Sequence, residues 1–154
     1  MGIFKGIFGE ERSDKVNRWK KQIFEMLSNL EDDGYLVDWD DEGDILVKKG
    51  SAIGNVFFVE DGNDMYLVVS VPIVFLPQEN CLAFYRKLLD MNYGIPVMGK
   101  LSTNEDRVYY RTLLDVDFIT DDMVRFAVIE TMNVADDIDD VLSEEFCAKF
   151  INEE

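Results

Sequence analysis

The stretch from Arg107 to Leu142, RVYYRTLLDVDFITDDMVRFAVIETMNVADDIDDVL, changes its hydrophobic period partway along. In its first part Val108, Tyr110 and Thr112 alternate with Tyr109, Arg111 and Leu113, the two-residue period of a strand in a sheet with two unlike faces. In its second part Val124, Val128, Thr131, Ala135, Ile138 and Leu142 step alternately by four and three, which is the inward stripe of one helix. Thr120 can cap that helix through its hydroxyl, and Asp121 and Asp122 stand where the helix dipole favours negative charge.

Working back from this stretch, Val97 to Leu101 reads as a strand joined to Arg107–Leu113 across the polar Ser102–Asp106 segment. Gln78 to Asn92 reads as a helix with Leu82, Tyr85, Leu88 and Leu89 on one face, broken by Tyr93-Gly94-Ile95-Pro96. Before it lie four short runs of strand character, Tyr35–Trp39, Ile45–Lys49, Val56–Glu60 and Met65–Val71. The acidic Asp40–Asp44 turn, the Gly50–Asn55 loop and Asp61-Gly62-Asn63-Asp64 separate them, and Pro72 and Pro77 are expected to close the meander. Ser13 can cap a first helix carrying Val16, Trp19, Ile23, Met26, Leu27 and Leu30, with Gly34 as its stop. The expected organisation is an apolar arm over residues 1–12, containing Ile3, Phe4, Ile7 and Phe8, ahead of a single domain over residues 13–154. Gly6 stands where a myristoylation pattern wants Ser or Thr, so the arm reads as a docking segment or a frayed terminus.

The chain of 154 residues has 32 acidic side chains against 15 basic ones, a net charge of −17, and no histidine. Nineteen aromatic residues and a hydrophobic content of 47% supply a core and exclude a disordered acidic chain. The charge disfavours nucleic acid and anionic lipid as partners of the domain and favours a basic or amphipathic protein segment. The six basic residues among the first 21, against three acidic, make that end the exception. A membrane contact is therefore expected only through residues 1–12, if at all. Cys81 and Cys147 lack metal or redox spacing and read as small buried side chains. With no signal-peptide pattern and no apolar run long enough to span a bilayer, a cytoplasmic location is expected.

Missing histidine removes the commonest general base and transition-metal ligand. No nucleophile elbow or phosphate loop is present. Asp38, Asp40, Glu42 and Gly43 fall at positions one, three, five and six of a calcium loop, but Lys49 occupies the twelfth, where a bidentate Glu is needed. That cluster reads as a solvated hairpin turn, and neither metal nor cofactor is expected. Asp136, Asp137, Asp139 and Asp140 lie late in the last helix, where they oppose its dipole. A basic partner or a cation of the first helix would explain them, as would solubility.

In its order of elements the chain resembles the type III secretion chaperone fold. The helix ending LLDMN at Leu88–Asn92, the strand pair up to Leu113 and the run LLDVDFITDDMVRFAVIETMNVADDID resemble the YbjN-like family of sensory transduction regulators. The resemblance implies an α+β fold: an antiparallel sheet of five to six strands packed with three helices, in the order α-β-β-β-(β)-α-β-β-α. It also implies a homodimer and, in the chaperone branch, an apolar surface that holds an extended client. The expected function is thus a non-enzymatic, chaperone-like or regulatory protein-binding module. Its candidate anchors are Trp39, Phe57, Tyr66, Phe75 and Tyr109, with the acids at 136, 137, 139 and 140 as a rim. The alternatives are a small-ligand regulator or carboxylate-based enzyme, and a membrane-edge adaptor held by the arm.

Overall fold

The computed structural model describes residues 12–94, 98–149 and 151. The apolar residues of the N-terminal arm, the Ile95–Val97 part of the predicted break and strand, and Phe150, in the acidic C-terminal stretch whose sequence allows one more short helix, lie outside the described residues. The first helix, α1 (Arg12–Ser28), buries Trp19, Ile23 and Leu27, and a 3₁₀ turn over Glu31–Asp33 ends at Gly34, whose φ of 84° suits glycine. Four strands follow: β1 (Leu36–Trp39), β2 (Ile45–Lys49), β3 (Ala52–Asp61) and β4 (Asp64–Phe75). Next come α2 (Cys81–Gly94), β5 (Lys100–Asn104), β6 (Arg107–Asp115) and α3 (Asp121–Phe146).

The six strands form one antiparallel sheet in the order β1-β2-β3-β4-β6-β5. β6 keeps the period read from its sequence: Val108, Tyr110, Thr112 and Leu114 are buried, and the residues between them are not. The same alternation runs through β2 and β3 and places Ile45, Val47, Ala52, Gly54 and Val56 on the buried face. α3 covers the middle of that face against β3, β4 and β6, while α1 lies by β1 and α2 by β5. All six residues expected on the inner stripe of α3 are buried, and Thr120 accepts a hydrogen bond from the Met123 amide at 3.3 Å. At Gly54 a Cβ would stand 2.8 Å from Val71 Cγ2 and 3.0 Å from Met132 Sδ, so only glycine lets α3 lie this close to β3.

Several local expectations give way. β3 starts at Ala52, not Val56, because Lys49 and Ala52 pair across a two-residue turn in which Gly50 takes φ 58°. β4 runs through Pro72 to Phe75: the ladder with β3 ends at Asn55–Ser70, so Pro72 has no partner on that side, and the register with β6 shifts between Pro72 and Phe75. On α2, Phe84 and Leu88 are buried, with Phe84 meeting Phe146 edge-on at 5.0 Å; this turns Leu82, Tyr85 and Leu89 outward. Both cysteines are free and exposed, contrary to the burial expected of them, because each sits at a helix end and not on an inner face.

Candidate functional site

Among the described residues the three helices lie on one side of the sheet and none covers the other face, which a groove of about 920 Å³ crosses. Its floor is set by strand register. Asn55 of β3, Ser70 of β4 and Arg111 of β6 are consecutive neighbours across the strands, as are Pro72 and Tyr109 on β4 and β6, with Ser102 beyond on β5. Phe57 completes the apolar part of the floor.

One end of the groove is the Asp40–Asp44 turn. Asp40 organises it: Oδ1 accepts from the amides of Glu42 and Asp44 at 2.9 and 2.8 Å, and Oδ2 accepts from Asn55 Nδ2 at 2.7 Å. That last bond fixes the turn to the sheet. On the far side, Lys20 of α1 donates to Asp44 at 2.5 Å and to the Gly43 carbonyl at 3.1 Å. The carboxylates read as a solvated turn are thus a wall of the groove. The other end is basic, with Arg107 and Arg111 beside Ser102, Thr103 and Asn104.

The structure places two of the expected anchors, Phe57 and Tyr109, in this groove. Tyr66 lies on β4 between Val59 and Asp115, outside the lining. Its phenol is pushed above its usual range chiefly by the Asp64 carboxylate, then by burial and by Asp115 and Asp61. Phe75 ends β4 beneath the Arg107 guanidinium, 5.3 Å from the ring centre. Trp39 stacks on Phe24 of α1 at 4.6 Å and 9°.

Asp136, Asp137, Asp139 and Asp140 belong to α3, in the helical layer, and do not join the groove. Asp136 accepts from Ser51 at 2.9 Å, and among the described residues no basic side chain pairs with the four. Burial first, and then Asp140, raise the carboxyl of Asp139 to about 6, with Asp136 and Asp137 adding to the shift and a backbone hydrogen bond opposing it. Sequence reasoning missed Asn55, Ser102, Arg107 and Arg111. The alternation of β6 did place Arg111 and Tyr109 on one face, and only the register across β4 adds Asn55 and Ser70.

Among the described residues no three Cys, Asp or Glu side chains converge to hold a metal ion, and no helix is long and apolar enough to cross a membrane. No protein-family model matches the chain, and no curated protein matches it in sequence. A solved structure does: a chain in the crystal structure of the ExsC–ExsE complex aligns with 12% identity and a TM-score of 0.55, covering 86% of this chain and 97% of that one. The likeness is one of fold. Three helices and a six-stranded antiparallel sheet in the order α-β-β-β-β-α-β-β-α make the type III secretion chaperone-like α+β arrangement.

Proposed function

We propose that this chain is a non-enzymatic, chaperone-like protein-binding module that acts as a cytoplasmic homodimer. The observation that carries the reading is the sheet face that no described helix covers, where Phe57, Pro72 and Tyr109 floor a groove walled by Asp40, Asp41, Glu42 and Asp44. Aromatic floor and charged wall are the composition of a protein-recognition surface: the apolar centre supplies affinity, and the acids steer basic or amphipathic segments and turn away anions. The fold supports the same reading, since the solved structure it resembles is that of a complex. The resemblance of the Leu88–Asp137 sequence pattern to the YbjN-like family, a pattern that no family model matches, suggests a regulatory adaptor as the form such binding takes.

For the dimer, the support is α2. Leu82, Tyr85, Leu89 and Tyr93 recur at helical spacing and are 83, 40, 69 and 96% exposed, an apolar stripe that a lone domain leaves in water. A second copy of α2 laid against it removes that area from solvent.

Affinity capture from the lysate of the source cell tests the binding reading, and recovery of no protein above background at low and moderate salt overturns it. Light scattering tests the dimer. A dimeric mass that Leu89→Asp converts to a monomer is expected, and a monomeric wild type overturns the dimer while leaving the binding reading in place.

A further inference from the structure

The groove carries opposite charges at its ends, and the basic end is unsatisfied. Arg111 Nε and Ser102 Oγ are both buried from solvent without a hydrogen-bond partner. Arg111 makes no ion pair among the described residues, and Arg107 has only a 3.9 Å approach to Asp106 besides the Phe75 ring. This is unusual in a chain whose carboxylates outnumber its cations two to one, and a buried donor left without an acceptor is destabilising. Two such donors beside a second guanidinium match a carboxylate, which arginine takes with both oxygens. At the acidic end, Asp40 and Asp44 are occupied within the fold, whereas the carboxylates of Asp41 and Glu42 are exposed and make no hydrogen bond or ion pair among the described residues.

We propose that the groove holds an extended segment of a partner protein carrying one acidic and one basic residue. The acid lies on Arg111, Arg107 and Ser102, the cation on Asp41 and Glu42, and an apolar side chain between them rests on Phe57, Pro72 and Tyr109. This deepens the protein-binding reading and rests on it. Register sets the spacing. Asn55, which anchors the acidic turn, stands two strand steps from Arg111, about 10 Å, and the turn lies beyond Asn55. Four residues of extended chain span about 13 Å, and an even offset keeps both charged side chains on the face that meets the groove. Offsets of three or five put them on opposite faces.

The test is a backbone-amide shift titration of the full chain with capped synthetic peptides. One has the sequence Lys-Thr-Val-Thr-Asp, two others move the Asp to offsets of three and five, and a fourth replaces Asp by Asn. The offset-four peptide is expected to shift the amides of Asn55, Ser70, Ser102 and Arg111 and to bind about fivefold tighter than the other spacings. Asn in the peptide, or Arg111→Gln in the protein, is expected to weaken it about tenfold. Arg107→Gln and Ser102→Ala, expected to weaken it about threefold each, serve if Arg111→Gln does not fold. Absence of groove shifts at millimolar peptide, equal binding of the Asn peptide, or affinity indifferent to the groove variants overturns the proposal. If the capture experiment meanwhile recovers a partner, the binding reading survives and the partner contacts another surface.

Discussion

Tyr110 and Glu130 tie the centre of the sheet to the long helix: the phenol of β6 donates to the Oε1 of α3 at 2.7 Å, with both side chains buried. Glu130 Oε2 has no partner, so this bond is the carboxylate's main compensation for leaving water. Tyr110→Phe is expected to destabilise the fold by about 2 kcal/mol, because it strands a buried acid. Glu130→Gln keeps an acceptor for the phenol without the charge and is expected to cost less, about 1 kcal/mol. Urea unfolding of the two variants checks the order; a milder Tyr110→Phe contradicts it.

The same pair sets an alkaline limit. Burial first, then the hydrogen bond to and charge of Glu130, push the Tyr110 phenol far above its ordinary 10.0, against a smaller opposing effect of the Gly99 amide. The folded state therefore holds this proton where the unfolded chain releases it. The contribution is present in full below about pH 10 and is lost as pH rises above it. Stability measured from pH 9 to 11.5 should fall more steeply for wild type than for Tyr110→Phe.

Gly99 packs against the same ring. A Cβ there would stand 2.4 Å from Tyr110 Cζ, and the ring, held by Glu130 and fully buried, has nowhere to retreat. Gly99→Ala is expected to cost about 1–3 kcal/mol by overpacking. Paired with Tyr110→Phe, it should lose part of that cost, since the phenol oxygen is also within 2.7 Å of the added carbon.

Asp139 works in the opposite direction from a salt-bridged acid. Its folded carboxyl titrates at about 6 against 3.8 in the unfolded chain, so the native state binds the extra proton between these values. Its stabilising contribution is complete below about pH 4 and is gone above about pH 6. Asp139→Asn should therefore raise stability at pH 7 by about 1 kcal/mol, allowing for screening at a partly exposed site. It should also flatten the rise in stability between pH 6 and 4.

Asp40 is the keystone of the acidic wall. Asp40→Ala removes acceptors for two amides and for Asn55, at an expected cost of about 1–2 kcal/mol, and detaches the turn from the groove. Lost order should register as amide exchange at Glu42 and Asp44, with the distant Tyr110 unaffected.

The elements that were legible from sequence are those with a strong period. α3 shows its stripe at Val124, Val128 and Leu142 because helix and core contact coincide there, and β6 shows its alternation because one face is apolar and the other is not. Where sequence reading failed, local propensity competed with a contact made from far away. Ala52 to Asn55 looks like loop by composition, yet Gly54 is required in a strand by Met132, nearly 80 residues later. Pro72 looks like a terminator, and only the end of the β3 ladder excuses it. The groove was half legible: Phe57 and Tyr109 announce themselves as aromatics, whereas Asn55, Ser102 and Arg111 matter through neighbours that sequence order does not reveal.

The two flanks of β4 differ in how soon their partners arrive. β3 meets it across the two-residue Gly62-Asn63 turn, whereas β6 reaches it only after α2 and β5 have been made, about 30 residues downstream. If β1 to β4 zip first, the long far edge of β4 stays bare until β6 arrives, an invitation to a neighbouring molecule to supply the missing strand. Refolding yield should accordingly decline as protein concentration rises, even where the finished domain remains soluble.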